Sequence, residues 1–170
     1  MRKYTLHQLA QLGDANAIRD AIGNGADPDE LDECGATPLC AAIAERRADI
    51  SMLLLELGAD ASVQDIDGST ALHWAVENRL PSVLESLLKK CPDAVSISDK
   101  HGNQPLWTAA FNARGNYEMV ECLLRFGADP HHRNKVELTP LDIPKRMKEP
   151  ALLELLESFG RRELKRGHST

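Results

Sequence analysis

Thr37–Ala42 reads TPLCAA and Thr70–Ala75 reads TALHWA, and related stretches begin at Gln104 (QPLWTAA) and Thr139 (TPLDI). A weaker copy, YTLHQLA, begins at Tyr4. The central leucines of the five copies recur after 33, 33, 34 and 35 residues: Leu6, Leu39, Leu72, Leu106 and Leu141. A fixed period of this length predicts stacked repeats, each of which buries its apolar face only against its neighbours.

The second copy shows the local structure that each repeat is expected to adopt. Thr37 is a candidate N-cap and Pro38 occupies the first helical position, where its missing N–H has no cost. Apolar residues at helical spacing follow as far as Arg46-Arg47, which marks a turn, and a second apolar helix ends at Gly58. The pattern predicts a helix–turn–helix unit followed by a loop.

Three motifs recur together: the TPLHxA phrase, a DxxG turn at Asp65–Gly68 and Asp99–Gly102, and a GAD helix end at Gly25, Gly58 and Gly127. In combination they resemble the ankyrin repeat family, from Tyr4 to about Gly160. The resemblance implies an all-α fold, an ankyrin repeat α-solenoid of stacked helix–turn–helix units with β-turn-like loops.

We expect a single repeat domain over residues 1–160, with repeats at about 1–31, 32–64, 65–98, 99–133 and 134–160, and a basic C-terminal tail at 161–170. Late in the second helix the first four repeats carry an apolar residue, and the fifth carries Glu157. A polar outer face is what a terminal repeat requires. The sequence therefore indicates a complete, free-standing array of five repeats.

Four departures from the pattern predict local differences. The third repeat closes with Cys91-Pro92-Asp93 in place of GAD, which predicts an altered exit, and extra residues at 113–116 predict a longer inter-helix loop in the fourth. In the fifth repeat, Glu137 stands where the turn glycine belongs, so we expect a disturbed turn. Pro144 lies near the start of its first helix and is expected to fray it.

Charge narrows the class of partner. The net charge of −6 argues against nucleic acid, whose phosphates require a basic face. Residues 1–70 carry −8 and residues 71–170 carry +2. The acidic half could steer a basic partner, or it could be a solvated surface with no specific role.

The cysteines and the N-terminal sequence indicate a compartment. The four cysteines lack the spacing of a zinc site or of a dense disulfide scaffold, which favours free thiols, with Cys40 and Cys122 in the core. The chain starts without the apolar stretch of a signal peptide, and no run reaches the length of a membrane span. We expect a cytoplasmic protein without a membrane association.

No catalytic or metal-binding motif is found. Phosphate-binding, nucleophile-elbow and zinc-protease signatures are absent from the sequence. The resemblance implies that His7 and His73 form hydrogen bonds between repeats. His131-His132 is the only tight histidine pair, and no further ligand follows at suitable spacing, so a solvated loop is the favoured interpretation. We expect no enzyme activity, no metal and no cofactor.

The resemblance implies a partner site along the turn tips and first helices, which line a concave groove in this family. Ile66, Trp74 and Phe111 are bulky apolar residues at such positions; they are either exposed anchors, or Trp74 and Phe111 pack on each other or on neighbouring repeats. Trp107, at the histidine position of the motif, is expected between repeats. The candidate partner-binding residues are Glu33, Ile66, Asp67, Trp74, Glu77, Asn78, Lys100, His101, Phe111 and Asn112.

These features favour a non-catalytic protein–protein interaction module that is monomeric when free. Small arrays with GADPDE-type turns resemble bacterial members of the family, some of which are cytoplasmic immunity or inhibitor proteins that block a toxin. A basic toxin or enzyme, such as a nuclease, would fit the acidic half of the chain. The alternative is an adaptor or scaffold subunit within a protein complex.

Overall fold

The computed structural model describes residues 4–166, with side chains over residues 4–159. This part of the chain contains α-helices and one 3₁₀ helix, and no strand. The α-helices form five consecutive pairs, as predicted: α1 (Leu6–Leu12) and α2 (Ala15–Gly23), α3 (Pro38–Ala44) and α4 (Ala48–Glu56), α5 (Ala71–Glu77) and α6 (Pro81–Lys90), α7 (Pro105–Asn112) and α8 (Glu118–Arg125), α9 (Asp142–Met147) and α10 (Pro150–Arg166).

The helices pack in two rows. The first helices of the pairs contact each other in chain order, from α1 to α9, and α4, α6, α8 and α10 form a second row. The phrase leucines lie between them: four of the five are fully buried, and Leu141 in the last repeat is 8% exposed. One continuous apolar core therefore runs through all five repeats.

Each turn is braced by the side chain of its first residue. The Oδ1 atom accepts two backbone N–H groups, from the residues two and four positions later, at 2.8–3.1 Å. The four bracing residues are Asp32, Asp65, Asp99 and Asn134. A short acceptor that bonds its own backbone in this way holds the turn without help from a regular ladder.

Successive turns are joined by backbone hydrogen bonds. The N–H of Ile66 donates to the carbonyl of Cys34 at 3.1 Å, and that of Lys100 donates to the carbonyl of Asp67 at 2.7 Å. The N–H of Lys135 continues the series to the carbonyl of His101 at 3.0 Å. The turns therefore form a ribbon along one edge of the stack, which sets the spacing of the first helices.

The turn glycines satisfy two constraints at once. Gly68 and Gly102 have φ of +74° and +80°, a region that L side chains rarely adopt. A Cβ on Gly68 would lie 2.9 Å from the N atom of Lys100, and one on Gly102 would lie 2.8 Å from the N atom of Lys135. A side chain at either position would separate the two turns that the backbone hydrogen bonds join.

Three predicted departures are confirmed. The exit of the third repeat is a 3₁₀ helix, Pro92–Ser96. The fourth repeat has the longer inter-helix loop, because α7 ends at Asn112 and α8 begins at Glu118. In the fifth repeat α9 begins only at Asp142 and has 6 residues, because Pro144 cannot donate a helical hydrogen bond.

The expectation of a disturbed fifth turn is wrong. Glu137 adopts a φ of +61° and its N–H donates to the carbonyl of Asn134 at 3.0 Å, as in the other turns. The Asn134 side chain braces this turn in place of an aspartate. No later turn within the described residues packs against Glu137, so its side chain meets no neighbouring backbone.

His7 and His73 link neighbouring repeats, as the resemblance implied. The Nε2 atom of His7 donates to the carbonyl of Ala36 at 2.8 Å, and that of His73 donates to the carbonyl of Asn103 at 3.1 Å. The N–H of Thr70 donates to Nδ1 of His73, so the proton of the neutral ring is on Nε2. Burial lowers the pKa of His73, so the ring stays neutral in the folded chain.

The last helix extends beyond the boundary expected for the repeats. α10 continues through Arg166, so residues 161–166 of the expected tail have a helical backbone, and residues 167–170 lie outside the described residues. Among the described residues, no helix has the length and apolar character needed to cross a membrane.

Replacing Gly102 by alanine should destabilise the protein more than replacing Gly127 by alanine. Both glycines have positive φ, +80° and +86°, but a Cβ on Gly127 has no neighbour within 4 Å. We expect Gly127→Ala to cost about 1 kcal/mol from backbone strain and Gly102→Ala at least about 1 kcal/mol more from overpacking. Urea unfolding of both variants measures the difference, and equal costs would contradict the turn-contact argument.

The neutral state of His73 predicts a pH dependence of stability. Its pKa is lowered in the folded chain, so the unfolded chain binds the proton first and stability falls as the pH drops below about 6.5. Between pH 7.5 and 5.5 we expect a loss of about 1 kcal/mol that His73→Gln removes. Urea titrations at both pH values test this, with the exposed His101→Gln as control for losing an imidazole. An unchanged pH dependence in His73→Gln would refute the assignment.

Candidate protein-binding face

The predicted partner-binding residues lie in the turns, on the first helices or directly after a first helix. We give the name turn–helix face to the surface formed by the turns at 32–36, 65–69, 99–103 and 134–138, together with the exposed sides of α3, α5, α7 and α9. Each first helix begins just after a turn and ends at an inter-helix loop. The face therefore extends from the turns, across the exposed sides of the first helices, to the inter-helix loops. We call its border at the turns the turn edge and its border at the inter-helix loops the loop edge.

Large apolar side chains are exposed on this face. Ile66 is 72% exposed at the tip of the third turn, and Phe111 is 51% exposed in the last turn of α7. Val136, at the tip of the fifth turn, is 70% exposed. Exposed apolar groups of this size on one face are typical of interaction sites.

Trp74 is part of the framework of its own repeat. The indole is half-buried against the core, and its Nε1 atom donates to Oδ2 of Asp65 at 3.0 Å. The other oxygen of Asp65 braces the turn, so the carboxylate ties α5 to that turn. Of the two alternatives for Trp74, the structure therefore favours packing over a free anchor.

Phe111 packs on Trp107 rather than on Trp74. The two rings stack within α7, with centroids 5.4 Å apart and planes inclined by 12°. The expectation that Trp107 lies inside, between repeats, is therefore only partly right, because its indole is half-buried. Its Nε1 atom finds no hydrogen-bond partner in the described part of the chain, in contrast to His7 and His73.

Two of the predicted charges neutralise each other. Nζ of Lys100 lies 2.6 Å from Oδ1 of Asp67, across the third and fourth turns. This hydrogen bond raises the pKa of Lys100. Since both side chains are about half exposed, the pair contributes little stability. Because the carboxylate of Asp67 is paired with Lys100, it adds no free negative charge at the turn edge.

Glu33 and Glu77 carry the free negative charge. Both are exposed, and neither forms an ion pair within the described residues. Partial burial raises the pKa of Glu77, and the charges of Asp65 and Asp99 raise it further. A cation brought to this place by a partner would relieve the repulsion among the three carboxylates.

The remaining candidates contribute mainly to the stack. Asn78 donates its Nδ2 to the carbonyl of Trp74 at 2.9 Å, and its own carbonyl accepts from Arg46. The carbonyl of Asn112 accepts from Nη2 of Arg79 at 3.3 Å. His101 is exposed at a turn tip, where its carbonyl accepts from the next turn. Asn78 and Asn112 thus lie at the loop edge, apart from the turn tips.

A row of cations at the loop edge was not recognised in the sequence. Arg46, Arg79, Arg114 and Lys148 all have positive φ and lie within two residues of the ends of the first helices of repeats two to five. In the sequence pattern, Arg46-Arg47 by itself indicates a turn and gives no sign of a charged row. The signal was available in the spacing, since these four residues recur after 33, 35 and 34 residues.

Metal and thiol chemistry have no visible basis in the described residues. They contain no group of three or more histidine, cysteine, aspartate or glutamate side chains that could hold a metal ion. The four cysteines are free, and Cys40 and Cys122 are buried, as predicted. Burial raises the pKa of the Cys40 thiol, which disfavours the reactive thiolate.

Known proteins with similar sequences share the repeats and not the overall size. The chain is 30% identical to neurogenic locus notch homolog protein 1 of Mus musculus over 137 residues, which are 80% of this chain and 5% of that protein. It is 30% identical to inversin of Canis lupus familiaris over 155 residues, 91% of this chain and 11% of that protein. It is 28% identical to the ZDHHC13 protein of Danio rerio over 152 residues, 89% of this chain and 23% of that protein.

The chain thus corresponds to less than a quarter of the length of each of these relatives. The family profile described as ankyrin repeats (three copies) matches residues 6–99 and 59–134. These matches cover more than half of the sequence and coincide with the helix pairs of the structure. The chain belongs to the ankyrin repeat family.

Proposed function

We propose that this chain is a non-catalytic module that binds a partner protein through the turn–helix face of repeats two to four. Ankyrin repeats are in general protein–protein interaction modules. The observation that carries the proposal for this surface is the exposure of Ile66 and Phe111 beside the unpaired carboxylates of Glu33 and Glu77. An apolar centre with a charged rim is the usual composition of a protein interface.

The charge of this surface favours a basic partner. Glu33 and Glu77 have no ion pair within the described residues, and the turns of repeats two to four also contain Asp32, Asp65 and Asp99. Complementary charge speeds association and excludes partners of the same sign. We therefore propose that the chain is an inhibitor or immunity protein that neutralises a basic toxin. In this proposal it acts in the cytoplasm and is monomeric until it binds its target. The free thiols are consistent with a reducing compartment.

The second candidate function is an adaptor within a larger assembly. It is favoured by the relatives, in which the matched repeats form only a small part of a much longer protein. The two functions differ in the fate of the partner, because an inhibitor abolishes the activity of its target and an adaptor does not.

Phe111→Ala should weaken partner binding strongly. We expect a loss of about 2 kcal/mol or more, close to thirtyfold in Kd, because a ring that is half exposed in the free protein would become fully buried. The partner is isolated by affinity capture from the source cell, and Kd is measured by calorimetry with the purified protein. Met52→Ala on α4 is the control, since Met52 is 39% exposed but lies on the second row of helices. Equal Kd values for Phe111→Ala and the parent would refute the proposed surface.

Neutralising Glu33 and Glu77 should slow association more than it speeds dissociation. For a basic partner we expect the double variant Glu33→Gln/Glu77→Gln to reduce kon about tenfold at low salt, with little difference at high salt. Stopped-flow or surface kinetics at two ionic strengths measure this. Glu56→Gln/Glu121→Gln, on α4 and α8, removes the same charge from the second row of helices and is the control. A kon that rises in the double variant would indicate an acidic partner.

A stoichiometric activity assay separates the two candidate functions. The purified partner is tested for enzymatic or toxic activity with one equivalent of this chain. Loss of activity that Phe111→Ala restores supports inhibition. Full activity of the bound partner supports the adaptor function.

A further inference from the structure

We propose that the loop edge of the stack is a second docking surface, which binds an acidic, extended peptide segment. We call this surface the loop rim and define it as Arg46, Arg47, Arg79, Arg114 and Lys148. It lies at the loop edge of the turn–helix face, at the opposite ends of the first helices from the turn tips, and contains none of the predicted partner-binding residues.

The backbone at the loop rim is costly for the residues that occupy it. Arg46, Arg79 and Arg114 have φ of +56°, +54° and +43°, and Lys148 has +59°. L residues with side chains rarely adopt this region, and the first repeat has Gly13 at the corresponding position, with φ +81°. The fold therefore accepts glycine here, and four successive repeats instead present a cation.

The cations of the loop rim are exposed and have no carboxylate partner. None of the five forms an ion pair within the described residues, although the chain carries 26 acidic residues. Glu45 and Glu149 are their direct sequence neighbours and also form no ion pair with them. The rim thus retains a row of unneutralised positive charge on a protein that is acidic as a whole.

Several of these side chains are held in place before any ligand binds. Arg46 donates to the carbonyl of Asn78 in the next repeat, and Arg79 donates to the carbonyl of Asn112 at 3.3 Å. Nε of Arg47 donates to the carbonyl of Gln11 at 3.1 Å. Each of these bonds leaves other guanidinium N–H groups available, so an incoming carboxylate would meet oriented donors with less rotamer entropy to lose.

The spacing of the rim selects the shape of its ligand. Adjacent packed helices are about 10 Å apart, and an extended chain in the polyproline II conformation rises about 3.1 Å per residue with three residues per turn. Acidic side chains at every third position of such a segment would therefore lie on one face, about 9 Å apart, beside successive cations. A peptide is favoured over nucleic acid, because the net charge of −6 repels a polyphosphate chain as a whole.

The test uses two labelled peptides of about 18 residues with the same composition of glutamate, glycine and serine. One has glutamate at every third position, which matches the polyproline II repeat, and the other has all its glutamates at one end. Fluorescence anisotropy at low salt measures binding of each to the full chain. We expect the spaced peptide to bind more tightly, and equal affinities would overturn the proposed match to the repeat spacing.

The variant that tests the rim is Arg46→Gly/Arg79→Gly/Arg114→Gly. Glycine relieves the positive φ, so we expect a folded protein with a helical circular dichroism spectrum. Binding of the spaced peptide should weaken about tenfold, as expected for three exposed charge pairs. Arg46→Gln/Arg79→Gln/Arg114→Gln, which keeps a side chain at each position, gives the same test should the glycine variant be less stable.

The matched control is Arg19→Ala/Lys90→Ala/Arg125→Ala. It removes the same charge from exposed positions on α2, α6 and α8. If this control binds the spaced peptide as tightly as the parent does, the result supports the loop rim as the binding surface. If both triple variants weaken binding equally, the effect is one of net charge alone and the proposal is overturned. A single-stranded oligothymidylate is tested in the same assay. If it binds more tightly than the spaced peptide and the glycine variant no longer binds it, the loop rim is a nucleic-acid surface and the proposal is overturned.

Discussion

The hydrogen bond that joins each turn to the next is the constraint on which the rest of this structure depends. It requires an Asp or Asn side chain to hold each turn in shape and a glycine to let the next backbone approach. Once Lys100 N is bonded to Asp67 O, for example, α5 and α7 begin in register, and their leucines meet in the core. The helices are short and would be marginal alone, so this alignment is what makes their packing cooperative.

The same constraint divides the surface into framework and free positions. Trp74 and Asp67 occupy positions that could face a partner, yet the indole of Trp74 is bonded to Asp65 and the carboxylate of Asp67 to Lys100. The side chains of Ile66 and Phe111 take part in no such bond, and although Phe111 stacks on Trp107, both remain exposed. Positions without a structural role are free to vary, and these are the positions at which a repeat protein selects its partner.

The two ends of the first helices carry opposite charge for a physical reason. Carboxylates near helix N-termini and cations near C-termini complement the helix dipoles, which favours the acidic turns and the basic loop edge without any ligand. This effect accounts for the sign of the charges. It does not account for side chains at positive φ in Arg46, Arg79 and Arg114, where Gly13 shows that glycine suffices. Arg46 and Arg79 each donate a hydrogen bond to the next repeat, which is one reason for a side chain at these positions, and the exposed charge that these bonds leave is what a ligand of the loop edge would use.

The repeated phrase was enough to predict the helix pairs, the buried leucines, the altered exit of the third repeat, the longer loop of the fourth and the short first helix of the fifth, because these depend on neighbours within one period. The inter-repeat bonds of His7 and His73 were implied by the resemblance to the ankyrin repeat family. The ring positions could not be predicted in the same way. Phe111 stacks on Trp107 and Trp74 is bonded to Asp65, and both contacts depend on side-chain positions that only the folded repeat determines. The regular turn at Glu137 and the arginines at positive φ were also visible only in the structure, since backbone dihedral angles at these positions are set by the turns and helices packed around them.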